Sequence, residues 1–179
     1  NITSYVNPDV DALLDEARVA VPIAIVDIGG RTTDYVVVKD QGILHASSGS
    51  LQCGMLDVKR LVEAGIQERF DLETLSEPIV AHAVEHGVVR LHGKDYGVES
   101  LVEAAKQEVI ERLHAETRRQ LGLGVELDRV LFVGGGTVAL ADHIAHWFPH
   151  QAIADHPAFA NARGMLKYLR YVCEASDAA

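Results

Sequence analysis

The stretch Ile23-Ala-Ile-Val-Asp-Ile-Gly-Gly-Arg-Thr-Thr-Asp-Tyr-Val-Val-Val38 constrains this chain more than any other. An apolar run reaches an acid, Asp27. Two glycines, Arg31, two hydroxyls and a second acid, Asp34, lead into another apolar run. The runs read as β-strands and the glycines as a tight turn between them. Gly29 and Gly30 lack Cβ, so they are expected to take positive φ and to let backbone N–H groups approach an anion. Thr32 and Thr33 add hydroxyl donors, and successive N–H groups in such a turn form a nest for phosphate. Asp27, at the strand end, suits a hydrated Mg²⁺, which takes one or two carboxylates and keeps several waters. The competing reading is an ordinary hairpin with a Gly-Gly turn.

A second cluster tips that balance. Arg129-Val-Leu-Phe-Val-Gly-Gly-Gly-Thr-Val-Ala-Leu140 is a buried-strand pattern, three glycines and a helix start. Such a unit turns free N–H groups and the positive end of a helix dipole toward a ligand. The middle glycine, Gly135, is expected to need positive φ, so that a valine there would strain the loop and block backbone approach.

Asp27-Ile-Gly-Gly-Arg-Thr-Thr-Asp34 resembles the second phosphate motif of the superfamily of actin, sugar kinases and heat-shock chaperones, and Val133-Gly-Gly-Gly-Thr137 resembles its adenosine motif. The match is best to prokaryotic actin-like proteins of the plasmid-segregation (ParM/StbA) type and their archaeal relatives. Pro157-Ala-Phe-Ala-Asn-Ala-Arg-Gly-Met165 is similar to the Phe-Ala-Asn-Ala segment that opens their last helix. Arg31 departs from the chaperones, which carry a third glycine there. The resemblance spans 6–171. It implies an α/β fold, the second large half of an actin-like (ribonuclease H-like) ATPase: a mixed five-stranded sheet flanked by helices, with a small inserted lobe.

The resemblance also implies a site. ATP (or GTP) with Mg²⁺ would bind between two large domains, of which this chain supplies the second. Asp27 would orient the metal's water shell and act in catalysis. Gly29, Gly30, Arg31, Thr32 and Thr33 would line the phosphates, and Gly134, Gly135, Gly136 and Thr137 the adenosine. Gly54, before a predicted helix, would lie near the nucleotide or simply admit close packing. Val6-Asn-Pro-Asp9 resembles the segment linking the two domains. Relatives there carry Glu or Gln to position the attacking water, so Asp9, one methylene shorter, is a candidate. Glu85 or His86 would face the ribose.

Composition bounds the rest. A chain of 179 residues, 48% apolar and 23% charged, suits one domain with a small lobe. A formal charge of −10 without any Lys/Arg-rich run argues against direct binding to nucleic acid, which relies on phosphate neutralisation. Cys53 and Cys173 form neither a ligand pair nor a disulfide framework, so a cytoplasmic setting is expected. No apolar run reaches membrane-spanning length. The chain starts at Asn1 rather than Met, and no first phosphate loop precedes Ile23. The chain reads either as a piece of a longer protein or as a natural half; either way the first actin-like domain is missing from it, and alone it is expected to bind and hydrolyse nucleotide poorly.

Along the chain, 1–20 reads as an interdomain lead-in with a short amphipathic helix over 9–17. Residues 21–72 and 99–179 form the large nucleotide-binding part, and 73–98 the inserted lobe. Strands are expected at 23–28, 33–39 and 42–47, with a turn at Asp40-Gln-Gly42. A helix follows over 55–70, with Val58, Leu61, Val62 and Ile66 inward. In the lobe, Ser76 with Pro78 starts a helix, Gly87 stops it, and a short hairpin surrounds Gly93. His82, Glu85 and His86 share a helical turn. A metal site is conceivable there, but a solvated helix face is the stronger reading, since no second ligand pair accompanies them. The longest helix covers 98–121 and ends at Gly122 and Gly124. Ala152–Ala154 is a short edge strand, and the last helix, 159–173, is expected to pack through Ala162, Leu166 and Leu169.

Function then divides three ways. The first is a filament-forming actin-like ATPase in plasmid or DNA segregation, self-associating in its complete form and joined to DNA by an adaptor. The second is a non-catalytic assembly scaffold of the cell-division or pilus type. The third is a kinase or reactivating chaperone of the same superfamily.

Overall fold

A computed structural model describes residues 21–39 and 42–177, in backbone only at Tyr168 and 171–177. The expected lead-in, Asp9 within it, and the turn residues Asp40 and Gln41 lie outside the described residues.

The central strand is β1 (Ile23–Ile28), whose run IAIVDI is buried from its second residue onward. A strand covered on both faces reads as continuously apolar rather than alternating. On one side it pairs antiparallel with β2 (Thr33–Lys39), opposing Asp27 to Asp34; on the other it pairs parallel with β7 (Arg129–Val133), opposing Asp27 to Val133. The sheet is mixed, in the order β3-β2-β1-β7-β8, with β3 (Gly42–Ile43) and β4 (Gly49–Leu51) both on β2 and β8 (Gln151–Ile153) at the far edge.

The expected strand at 42–47 stops after Ile43. A 3₁₀ turn spans His45–Ser47, and Ser48 explains it: its hydroxyl accepts from Val37 N at 3.1 Å and donates to Leu44 O at 2.9 Å. A side chain thus occupies a ladder position, and the chain rejoins β2 only at Gly49.

Pleat alternation divides the core in two. Ala24, Val26, Ile28, Tyr35, Val37, Val130 and Phe132 face a large cluster; Ile25, Leu131 and Val133 face a smaller one. The large cluster holds α1 (Met55–Phe70) and α3 (Glu99–Leu121), packed on each other. Val58, Val62 and Ile66 are fully buried on α1, each contributing on the order of 2 kcal/mol. Between these helices lie α2 (Glu77–His86) and the hairpin β5 (Val88–Leu91)–β6 (Lys94–Gly97). Pro78 sits in the first turn of α2, and Gly87 closes it at φ 69°. Val80, Ala83, Val89 and Leu91 join the same cluster.

After β7 the chain forms two short helices, α4 (Gly135–Ala139) and α5 (Ala141–Ile144), rather than one. Leu140, Ile144 and Phe148 are nevertheless inward, as their pattern implies. The last helix, α6 (Ala160–Asp177), turns a different face inward from the expected one. Ala160 and Gly164 are buried, whereas Ala162, Leu166 and Leu169 are exposed. Ala160 packs with Ile25, Leu131 and Val133 in the smaller cluster and Asn161 beside it bonds Asp27, so contacts in the first turn, not the leucines, fix which face turns inward. No described helix is long and apolar enough to cross a membrane.

A buried hydroxyl network ties β2 to α3. Tyr35 is 1% exposed; its hydroxyl lies 3.2 Å from Thr117 Oγ1 and donates to Leu113 O at 3.4 Å. Burial pushes the phenol up to about 12, partly offset by the Thr117 hydrogen bond. Above pH 10 the unfolded chain releases this proton and the folded one retains it, so stability falls as pH rises from 10 towards 12, by about 2–3 kcal/mol in all. Urea unfolding at pH 8 and pH 11 should show this slope, and Tyr35→Phe should flatten it.

Candidate functional site

Parallel strands β1 and β7 end side by side, and each runs into a glycine loop at its carboxyl end. In open α/β sheets this is where ligands bind. Asp27 stands at that edge, 8% exposed. Its Oδ2 accepts a hydrogen bond from Asn161 Nδ2 at 2.8 Å. Burial raises its pKa, the Asn161 bond opposes the rise, and the Asp34 charge adds to it. A carboxylate held in such surroundings favours a cation beside it.

The first loop is a tight hairpin turn, with Gly29 N donating to Thr32 O at 2.9 Å. A Cβ on Gly29 would stand 2.9 Å from that oxygen. Neither Gly29 nor Gly30 has positive φ, contrary to the sequence expectation, so closeness rather than handedness selects Gly29. Thr33 is also not as expected: its hydroxyl is buried and donates to Cys53 O at 2.9 Å, anchoring the loop instead of facing outward. Thr32 Oγ1 donates to Asp34 Oδ2 at 3.1 Å. What the turn presents outward is Gly30 and Arg31, both exposed.

The turn is seated on the start of α1. Met55 N donates to Gly29 O at 3.1 Å and Leu56 N to Gly30 O at 2.8 Å, so N–H groups left over at the helix start hold the turn. A Cβ on Gly54 would fall 2.6 Å from Gly29 O and 2.7 Å from Gly30 O. Gly54 therefore acts through the loop it supports, and Asp57 Oδ2 caps its N–H at 2.9 Å.

The second loop crosses directly over the first strand. Gly134 has φ 91°, and a Cβ there would stand 2.2 Å from Asp27 Oδ1 and 2.4 Å from Ile28 O. A Cβ on Gly136 would stand 2.6 Å from Ile28 Cγ2. Gly135 is exposed, lacks positive φ, and would place a Cβ no nearer than 3.9 Å to Ala158. The backbone strain expected at Gly135 thus belongs to its neighbour Gly134. Thr137 is buried and donates to Val133 O at 2.6 Å, closing the turn from inside.

A third segment completes the site, and sequence reasoning assigned it no role there. Beyond β8, a 3₁₀ turn at Pro157–Phe159 brings Pro157 O within 2.9 Å of Gly134 N and delivers Asn161 to Asp27. Asn161 Oδ1 is buried with no partner among the described residues. The Phe-Ala-Asn-Ala segment was the available signal; nothing local in it tells that the asparagine reaches a residue 134 positions earlier.

Comparison with known proteins fits this geometry. The family model for the C-terminal part of the archaeal actin homologue MreB-like proteins matches residues 25–146, more than half of the chain. The chain belongs to that family. No curated protein matches. Among solved structures, a non-polymerisable quadruple mutant of pCBH ParM superposes with a TM-score of 0.84 at 21% identity, covering 96% of this chain and 53% of that one. Ta0583, an archaeal actin homologue, gives 0.81 at 19% identity, with 95% and 54% covered. A subunit of a 15-stranded ParM filament from Clostridium botulinum gives 0.79 at 23%, with 93% and 50% covered. The fold is therefore an actin-like half, as the motifs implied, and the chain spans about half the length of these structures.

Within this MreB-like half, the remaining candidates separate. Glu85 is exposed on α2, its carboxylate 3.8 Å from His86 Nε2. His82 and His86 stack edge-on at 4.4 Å, and among the described residues no three His, Cys, Asp or Glu side chains are placed to hold a metal. The structure brings together Asp27, both glycine loops, Gly54 and Asn161.

Proposed function

We propose that this chain is the second, nucleotide-binding half of an actin-like ATPase that assembles into filaments, with plasmid or DNA segregation as its setting. The observation that carries this reading is Asp27, a buried carboxylate under two glycine loops at the carboxyl ends of adjacent parallel strands. The glycines add a second argument. Gly29, Gly54, Gly134 and Gly136 are required by close contacts, whereas a Cβ on Gly30 meets nothing within 4 Å and one on Gly135 only Ala158. Packing does not explain these two exposed glycines; a ligand backbone or phosphate approaching the loop tips does.

The donor set fits Mg²⁺ with a nucleoside triphosphate. Asp27 and Asn161 Oδ1, the latter without a partner among the described residues, both offer oxygen lone pairs, which a hard cation coordinates and to which its bound waters donate hydrogen bonds. Bound there, the metal would neutralise charge on the phosphates during attack by water. Asp27 would accept hydrogen bonds from the metal's waters, Gly30 and Arg31 would stand by the phosphates, and Gly135 by the nucleoside. Asp9 would position the attacking water, as the resemblance of Val6-Asn-Pro-Asp9 to the relatives' linking segment implies, and the solved ADP complex of Ta0583 and ATP complex of Bacillus thuringiensis ParM support nucleotide as the ligand class. The ParM filament supports self-association, to which a first actin-like domain would contribute the complementary surface.

Titration with a fluorescent adenine nucleotide and Mg²⁺ tests this. Binding by the chain alone should be weak, and stronger in the complete protein. Gly30→Val and Gly135→Val should unfold near the wild-type temperature yet each weaken binding more than about tenfold. Folded variants that titrate like wild type would reduce the second cluster to a helix start.

A further inference from the structure

The segment between β8 and α6 carries both groups that support the site, Pro157 O and Asn161, and it is held by a residue the site itself does not use. Arg163, in the first turns of α6, reaches back along the chain. Its Nη1 donates to His156 O at 3.2 Å and its Nη2 to Asp155 O. Its Nε is buried and has no acceptor among the described residues, so the two Nη groups carry the guanidinium's hydrogen bonding.

What they hold is strained. His156 sits in the left-handed region at φ 45°, ψ 62°. A residue with a Cβ enters that region at a cost, and the ring of a following proline, here Pro157, biases it further toward extended backbone. A conformation of this kind persists only where the surroundings over-determine it, and such residues cluster at functional sites. In this chain it does one identifiable thing: it turns the backbone so that Pro157 O meets Gly134 N at 2.9 Å, while α6 begins with Asn161 against Asp27 at 2.8 Å.

We propose that Arg163 is a positioning residue for the nucleotide site. By clamping the carbonyls of Asp155 and His156 it keeps His156 left-handed, and so sets the Gly134 loop and the Asn161–Asp27 pair in the geometry that nucleotide requires. The clamp itself stands on the geometry alone; its effect on nucleotide rests on the function proposed above. Lysine cannot replace it, because two carbonyls on successive residues need the planar fork of a guanidinium.

The test combines hydrogen exchange with nucleotide titration. Arg163→Met and Arg163→Lys should raise exchange at the Gly134 amide about tenfold while exchange in β1 and α3 stays as in wild type. Both should weaken Mg-ADP binding in the complete protein by about tenfold. Adding His156→Gly should restore much of both losses, because glycine takes the left-handed conformation without a clamp. A merely structural arginine would not be rescued in this way. Unchanged exchange at Gly134 in a folded variant overturns the clamp. Faster exchange with unaltered Mg-ADP affinity overturns its role at the site. If wild-type protein binds no nucleotide, the proposed function fails, and the exchange arm still decides whether Arg163 holds the loop.

Discussion

Gly134→Ala should be among the most damaging single-atom-scale changes available in this chain, lowering the melting temperature by about 10 °C or more. Two independent costs add. Backbone at φ 91°, ψ 159° lies in a region that is essentially glycine's, worth about 1–3 kcal/mol to a residue with a Cβ. That Cβ would also stand 2.2 Å from Asp27 Oδ1 and 2.4 Å from Ile28 O, and Ile28 O is backbone in the central strand, unable to yield as a flexible side chain would. Overpacking of this kind costs about another 1–3 kcal/mol. Gly135→Ala, one position on, is the control. It has ordinary φ and open space out to Ala158 at 3.9 Å, so alanine in the first turn of α4 should change stability by no more than about 1 kcal/mol, and in the favourable direction. Thermal unfolding of the two variants side by side reads the contrast. If both melt like wild type, or Gly135→Ala melts lowest, the crossing of β1 by this loop is wrong.

That contrast also marks the limit of what the sequence reveals. Three glycines after a strand announce a loop of close approach, but they do not say which one passes nearest a neighbour. The deciding contact is with Ile28, far away in the chain and brought alongside only by the parallel pairing of β1 and β7. Strands β1, β2 and β7 and helices α1 to α3 were legible because their periodicity and their stop signals agree: Gly87 and Gly122 take positive φ where the patterns end. The rotation of α6 was not, because Ala162, Leu166 and Leu169 make an apolar stripe by themselves, while the contacts that fix the helix, Ala160 in the smaller cluster and Asn161 on Asp27, exist only in the tertiary structure. The direction of the Thr33 hydroxyl was hidden for a related reason. A hydroxyl beside a phosphate-like turn reads as a donor to ligand, yet strand pairing in β2 points it to the core and to Cys53 O. Asn161 lay within a recognisable segment, but its partner is fixed by tertiary structure alone.

Asp27→Asn should separate stability from chemistry. In the fold the Asp27 carboxylate is 8% exposed and faces the charge of Asp34, and both raise its pKa above the ordinary 3.8. The sign of the linkage follows. As pH rises past 3.8 the unfolded chain gives up this proton before the folded one does, so the folded state is progressively penalised until the folded carboxyl has also ionised. An amide carries no such penalty, and its oxygen still accepts the hydrogen bond from Asn161. Asp27→Asn should therefore melt no lower than wild type at pH 7, and its stability should vary less across the acidic range above pH 4. A divalent cation inverts the balance, because positive charge beside the carboxylate favours its ionised form. Added Mg²⁺ with nucleotide should then raise the melting temperature of the wild-type complete protein and leave that of Asp27→Asn nearly unmoved. Turnover, if Asp27 orders the metal's waters, should fall by about a hundredfold or more, the scale seen when one preorganised electrostatic partner is removed. A variant that is less stable than wild type at neutral pH would contradict the buried-carboxylate account of the fold. One that is stable and still hydrolyses nucleotide at the wild-type rate would take Asp27 out of the mechanism and move the weight to a scaffold that binds without chemistry.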